Sequence, residues 1–429
     1  MDVGHGVAFL DVPEGTVLGG YADRLETSQG TLDELEVHSI AISSGTSRLI
    51  LIVLDLICVN PDLAFEVRRA VLQALGDIGR PLTDVWVSAT HTHSGPDVGC
   101  EQGGSTTPPL WKRHITYAAV SAAIDSVRAE GCCQTNLFKG NITGVGARRG
   151  QLNGEPCVPV EVLTFRKHDG VGVLVVAPVH PTVLPAGSSM VSSDLSGAIR
   201  DELQTALADR FADVWVVVAT GAAGDVSTRL TRREQTHAEC RRLGTHAALQ
   251  IAALLETAPT YLWSEEEPHL ISRRATVLLP SRVDDSSQLL RLRRDLSLLS
   301  APRNDSDSPA VSRITSTAIQ GVEVALARTR QPRVDHYALE LSAARLGGLT
   351  LLGIGGEPFL SIRHDLLDRI DGPCIVLGYT NGYVGYLVDA PAYQEPGYEM
   401  LSSPFECDVG ENTISALIEL AHLNTEGTK

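Results

Sequence analysis

A chain of 429 residues, 43% hydrophobic and 20% charged, has the size and composition of a globular protein with a sizeable core. Its formal charge of −17, from 52 acidic against 35 basic residues, argues against a nucleic-acid partner and an anionic membrane surface; solubility is the simpler account of it. No apolar run is long enough to span a bilayer, and residues 1–5 lead into strand-like sequence without a basic or apolar leader, so the expectation is a cytoplasmic protein with no stable membrane association.

In chain order, residues 6–10 read as a first strand. The pair Gly19-Gly20 before Tyr21 allows close backbone approach to a ligand or neighbour, or makes a tight turn. Strands are expected at 36–42 and 48–57, and an amphipathic helix at 62–75 with Ala64, Val67, Val71 and Leu72 inward. A short β-branched strand at 83–87 then runs into Thr90-His91-Thr92-His93-Ser94-Gly95-Pro96. Alternation along a strand would turn His91 and His93 to one side. Two imidazoles on one face suit zinc or another transition metal. A hydrogen-bonded histidine pair in a loop is the other reading.

A helix is expected at 110–129, a strand at 137–143, and a Gly-punctuated loop at 144–150 carrying Arg148 and Arg149. Paired strands at 160–165 and 171–179 end at His180. A helix at 194–208 precedes a buried strand at 214–219, which ends in Gly224-Asp225-Val226-Ser227. A long helix follows at 233–255, then a polar stretch at 282–311 with an exposed loop at 304–308 between helical segments. Strands at 334–342 and 349–354 lead to Gly356-Glu357, and a core strand at 374–377 delivers Tyr383 and Tyr386. The fold class is therefore α/β, mixed sheets layered with helices and active at strand ends. Neither a linker nor an internal repeat divides the chain, so one domain is expected over residues 1–429. The eight cysteines form no Cys-x-x-Cys pair, and Cys58 and Cys374 read as reduced core residues.

Five strand ends carry groups of catalytic type. Singly, each has a bland alternative: His180 as a structural histidine, Asp225 and Ser227 as turn residues, Glu357 at a helix start, the tyrosines as core aromatics. Together they favour a metal site assembled from distant segments.

The Ala89-Thr90-His91-Thr92-His93-Ser94-Gly95-Pro96 run resembles the catalytic domain of the neutral/alkaline, non-lysosomal ceramidase family. Shorter matches occur in family order: Gly20-Tyr21-Ala22, Lys139-Gly140-Asn141, Gly144-Val145 with Arg149, His180, Ser189-Met190 with Asp194, Gly224 to Ser227, Gly356-Glu357, Asn381 to Tyr386, and Tyr398-Glu399. The resemblance implies one zinc held by His91, His180, Glu357 and Tyr386, with Tyr383 as the alternative tyrosine. It implies that His93, Arg149, Ser227 and Tyr398 line the reaction centre. There His93 would shuttle protons, Arg149 or Tyr398 would stabilise an oxyanion, and Ser227 would be nucleophile or positioning hydroxyl. Zinc would polarise the carbonyl and lower the pKa of a water toward ~7.

Arg148 stands where the family commonly has asparagine, and Gly150-Gln151 replaces Ser-Pro. The family's secretory leader and C-terminal β-sandwich domain are not evident, so the expected substrate is a small soluble amide, with ceramide as the alternative. A metal amidohydrolase barrel, an acyltransferase using the same chemistry and a non-catalytic scaffold are the competing readings. The barrel would want eight regular βα units, which the irregular strand pairs before His180 do not supply.

Overall fold

The computed structural model describes residues 1–429 other than 79, 81, 150–155, 263–269, 301–308, 395–396 and 424–429. The expected loop at 304–308 and the Gly150-Gln151 pair lie outside the described residues.

The expected α/β class holds. Three mixed sheets share a building plan: an antiparallel hairpin, an outer helix, then a strand parallel to the hairpin's second arm. In the first sheet the hairpin Leu35–Ser44/Ser47–Leu54 is followed by helix Pro61–Leu75 and strand Leu82–Ala89, with Asp2–Leu10 on the far side. In the second, Cys157–Arg166/Gly170–Ala177 is followed by helix Asp194–Ala208 and strand Asp213–Thr220, with Gln134–Thr143 outside. In the third, His336–Leu346/Leu349–Ile354 is followed by helix Leu360–Arg369 and strand Cys374–Leu377, with Leu270–Pro280 outside. Parallel neighbours send their C-terminal ends the same way, which is where open α/β sheets gather functional groups. No sequence repeat announces this threefold plan.

One face of every sheet enters a shared core, with Ile40, Leu51 and Trp86 from the first, Leu163, Leu174 and Val217 from the second, and Leu346, Leu351 and Ile375 from the third. The opposite faces are covered by helices: Pro61–Leu75 and Pro109–Arg128, then Asp194–Ala208 and His237–Leu254, then Leu360–Arg369 and Val409–Leu423. Burial on both faces explains runs such as Val171-Gly172-Val173-Leu174-Val175-Val176, apolar without alternation. Cys58 and Cys374 are buried free thiols, as expected.

Some expectations need correction. Leu72 is 40% exposed; the inward stripe of its helix is Leu63, Val67, Val71 and Leu75, at helical i, i+4 spacing, with Ala64 beside it. The helix expected from 233 starts at His237, because Thr236 caps it by accepting from the Glu239 amide at 3.2 Å. The strand expected to stop at 342 continues to Leu346 and turns at Gly347-Gly348. Strand Leu270–Pro280 was not anticipated: as a sheet edge it is mostly exposed or half-exposed, with two arginines mid-strand. No described helix is long and apolar enough to cross a membrane.

Candidate metal centre

Past Ala89 the chain leaves the first sheet. Thr90 N–H donates to Leu54 O at 2.9 Å and His91 N–H to Leu56 O at 2.8 Å, so the segment follows the end of the neighbouring strand. His91 itself has φ 66°, a left-handed conformation that an L-residue adopts at a cost of roughly 1–3 kcal/mol. This corrects the expected geometry. His91 and His93 do converge, with their Nε2 atoms 3.3 Å apart, but through a left-handed turn and not by strand alternation.

His91 Nδ1 lies 2.6 Å from Ile57 O. His180 Nδ1 lies 2.6 Å from Ala223 O and 3.1 Å from Val226 O. A carbonyl only accepts, so both rings carry a proton on Nδ1, and in the neutral imidazole the lone pair is then at Nε2. Both lone pairs face one carboxylate oxygen: Glu357 Oε2 is 3.3 Å from His91 Nε2 and 3.1 Å from His180 Nε2. All three side chains are buried. Burial and the nearby Arg149 cation push the His180 pKa down to about 3, so its imidazole is neutral at physiological pH. Three acceptors aimed at one point in a buried pocket call for a cation, and two imidazole nitrogens with a carboxylate are a donor set that suits zinc. His91, His93 and His180 also bring one ligand atom each within 4.8 Å of one another, so His93 is geometrically able to join.

Four tyrosines close the site. Tyr383 donates to Glu357 Oε1 at 2.5 Å, fixing the carboxylate through its other oxygen. Tyr379 stacks on His91, with centroids 4.2 Å apart, and its hydroxyl is 3.5 Å from Glu357 Oε2. Tyr386 stacks near His180 with centroids 6.4 Å apart, and Tyr398 meets Tyr386 edge-on at 6.0 Å. Strand residues Glu357 and Tyr386 are paired in a two-stranded parallel ladder. Burial and Glu357 push the Tyr386 phenol well above its ordinary pKa, and Arg149 acts against them, with Nη1 at 3.5 Å from its oxygen.

Arg149 is anchored by Glu399 Oε1 at 2.5 Å. The loop expected at 144–150 contains a short strand, Ala147–Arg148, paired with Val226–Ser227. Arg148 is 45% exposed and donates to Asp225 Oδ2 at 2.7 Å, while Asp225 Oδ1 receives the Leu360 amide at 2.8 Å. Asp225 is therefore a strut. Buried Ser227 bridges the His180 backbone, and its hydroxyl receives the Arg229 amide at 3.4 Å. No described histidine or carboxylate lies within hydrogen-bond distance of that hydroxyl. His93 is held well below its ordinary pKa by burial and by His91 and His180, and its Nδ1 is buried without a partner.

The expected site residues thus gather at adjoining strand ends. Tyr379 and Arg229 were not among them. Tyr379, too, has a positive φ, 54°, between the strand and the tyrosine turn, and no motif marks it. Arg229 lies two residues past Ser227, where charge after a catalytic-type serine was the available signal.

No family model matches the chain. Among solved structures, neutral ceramidase from Pseudomonas aeruginosa superposes with a TM-score of 0.76 at 16% identity, covering 99% of this chain and 74% of that one. A ceramidase complexed with C2 superposes at 0.74, again 16% identical, covering 99% and 75%. The chain has a neutral ceramidase-like fold.

Proposed function

We propose that the protein is a zinc-dependent hydrolase of amide bonds, with His91, His180, Glu357 and Tyr386 as the metal ligands. The observation that carries this reading is the convergence of two Nδ1-protonated histidines on one oxygen of a buried carboxylate. The ceramidase-like fold favours the amide bond as the one cleaved. Tyr386 is preferred to Tyr383 because the Tyr383 hydrogen is already committed to Glu357. Bound zinc supplies a Lewis acid for the carbonyl and lowers the pKa of a water to near neutrality.

The remaining steps fall to the chain's own groups. His93, neutral and with an unpartnered nitrogen, takes a proton at the reaction centre and returns it to the leaving amine. Arg149, held by Glu399, directs its guanidinium beside the Tyr386 oxygen, where negative charge develops. Tyr398 adds a hydroxyl to the same side, and the Ser227 hydroxyl positions the substrate. The four ligand residues are held in place by partners outside the donor set, as metal centres require.

Metal analysis of protein purified without chelators should give about one zinc per chain. Chelation should abolish hydrolysis of N-acyl compounds, followed by mass spectrometry, and added zinc should restore it. Protein that binds no metal, or whose activity survives complete chelation, would sink this reading.

A further inference from the structure

The 3₁₀ turn Thr228–Leu230 directly follows Ser227 and carries Arg229, whose guanidinium is half-buried. Its charged neighbours are Arg149, Arg232 and Glu399, with the Tyr386 phenol beside them. Glu399 is already taken by Arg149 at 2.5 Å, and Asp225 by Arg148 at 2.7 Å. No described carboxylate pairs with Arg229. Burial and the like charges of Arg149 and Arg232 push its pKa down to about 10, outweighing Glu399 and Tyr386, which act the other way.

A second cation without a described carboxylate partner, Arg24, stands beside His93 and over the Tyr21 ring. Arg24 gives Nη1 to Gly19 O at 2.8 Å and to His93 O at 2.7 Å, and Nε to Ala186 O at 3.3 Å. These are neutral carbonyls, and its Nη2 is buried with no partner. Positive charge therefore gathers around the reaction centre of a chain whose overall charge is −17. A neutral substrate would cover the half-buried Arg229 guanidinium without bringing it a counter-charge, a costly arrangement. A carboxylate presents two oxygens to the two-pronged donor face of a guanidinium and cancels its charge.

We propose that the substrate is a carboxylate-bearing amide, of the N-acyl amino acid class, and that Arg229 binds its carboxylate. The amide part of this statement rests on the hydrolase reading above; the charge part does not. The reaction adds water across the C–N bond. The acyl carbon gains the oxygen and leaves as a carboxylate, and the nitrogen gains the protons and leaves as the amino acid zwitterion.

The test compares N-octanoylglycine with N-octanoylglycinamide, equal in shape and different in charge. In zinc-loaded wild-type protein the carboxylate should have the higher kcat/KM by roughly ten- to a hundredfold. In Arg229→Gln that ratio should collapse toward one, chiefly through KM, and Arg229→Lys should recover part of it. Calorimetry on metal-free protein reads the same preference as binding. Equal turnover and equal binding of both compounds by the wild type would overturn the proposal, as would a preference that survives in folded Arg229→Gln. Should neither compound be hydrolysed, a binding preference lost in Arg229→Gln sustains the role of Arg229 and discards the hydrolase reading; equal binding discards the proposal.

Discussion

Gly20 lies against the ring of His93 so closely that a Cβ at that position would stand 2.7 Å from His93 Cγ and 2.8 Å from its Cα. Its φ of 103° is also one that side-chain-bearing residues rarely adopt. The Gly19-Gly20 pair therefore serves close approach to a neighbour, and that neighbour is the proposed proton carrier. Tyr21 continues the contact, with its ring centroid 4.8 Å from that of His93 and its hydroxyl donating to Leu184 O at 2.7 Å.

Gly20→Ala should displace His93 while leaving His91, His180 and Glu357 in place. The expected result is near-stoichiometric zinc with a kcat lowered by roughly a hundredfold, the scale of a displacement near 1 Å at a catalytic group. Zinc content and kcat measured on one preparation check this; an unchanged kcat would remove His93 from the proton path.

His180→Ala should strip the metal without unfolding the core, because the ring contributes donor atoms and packs against the site residues His91, Tyr379 and Tyr386. Its Nδ1 partners are backbone carbonyls fixed independently of the ring, Ala223 O by the turn to Val226 and Val226 O in a short strand. Tyr383→Phe should weaken zinc by freeing Glu357 Oε1, whereas Tyr386→Phe should remove a ligand outright. Second-sphere losses at metal centres run about 10–100-fold in affinity. Competitive zinc titration should rank His180→Ala and Tyr386→Phe below Tyr383→Phe. The reverse order of the two tyrosines would make Tyr383 the ligand.

Much of this site was legible because its residues sit beside features that sequence records well. Buried β-branched runs mark the strands at 83–87, 214–219 and 374–377, and the polar residue after each run marks the strand end. Motif order supplied the rest. What could not be read was backbone geometry: the left-handed turns at His91 and Tyr379 are held by the carbonyls of Leu56 and Gly356, just past the ends of distant strands, which local sequence does not encode. The edge strand Leu270–Pro280 escaped for a related reason, since its register is set by pairing to His336–Leu346 and its exposed arginines break the apolar pattern. The charge balance around Arg229 likewise emerges only when Glu399 and Asp225 are seen to be occupied by Arg149 and Arg148.

Acid stability should depend on a second histidine pair. His5 Nε2 is 3.0 Å from His38 Nδ1, and His5 stacks on Trp215 with centroids 4.6 Å apart. Burial and the adjacent His38 push His5 down to about 3; burial and Arg200 do the same to His38, against the opposing pull of Asp55 and of the Glu36 carboxylate 2.7 Å from its Nε2. With both folded values below the ordinary 6.5, the unfolded chain binds the protons first. The contribution is therefore complete above pH 6.5 and lost as pH falls toward 3, with a slope of about 1.4 kcal/mol per pH unit for each independent group. Urea midpoints measured at several pH values should fall less steeply in His5→Gln than in the wild type across that window. Parallel slopes would show that the pair does not titrate on unfolding.

Ser227 lacks the surroundings of a nucleophile. A serine hydroxyl becomes a nucleophile when a base within hydrogen-bond reach takes its proton. The bond found at Ser227 Oγ is one it accepts, from the Arg229 amide at 3.4 Å. His91 and His180 have their Nδ1 atoms tied to carbonyls and their Nε2 atoms turned to Glu357. His93 Nε2 lies beside His91. With no described base in reach, Ser227 is expected to orient the substrate, and water is expected to attack. Ser227→Ala should then lower kcat/KM by about 10–100-fold, the loss of one hydrogen bond to a charged or developing-charge group, while leaving measurable turnover. Loss of all activity in a folded, zinc-loaded variant would contradict this. A rapid-quench experiment with a slow N-acyl substrate separates the mechanisms directly: intact mass spectrometry should find unmodified protein, and an acyl adduct mapped to Ser227 would establish it as the nucleophile.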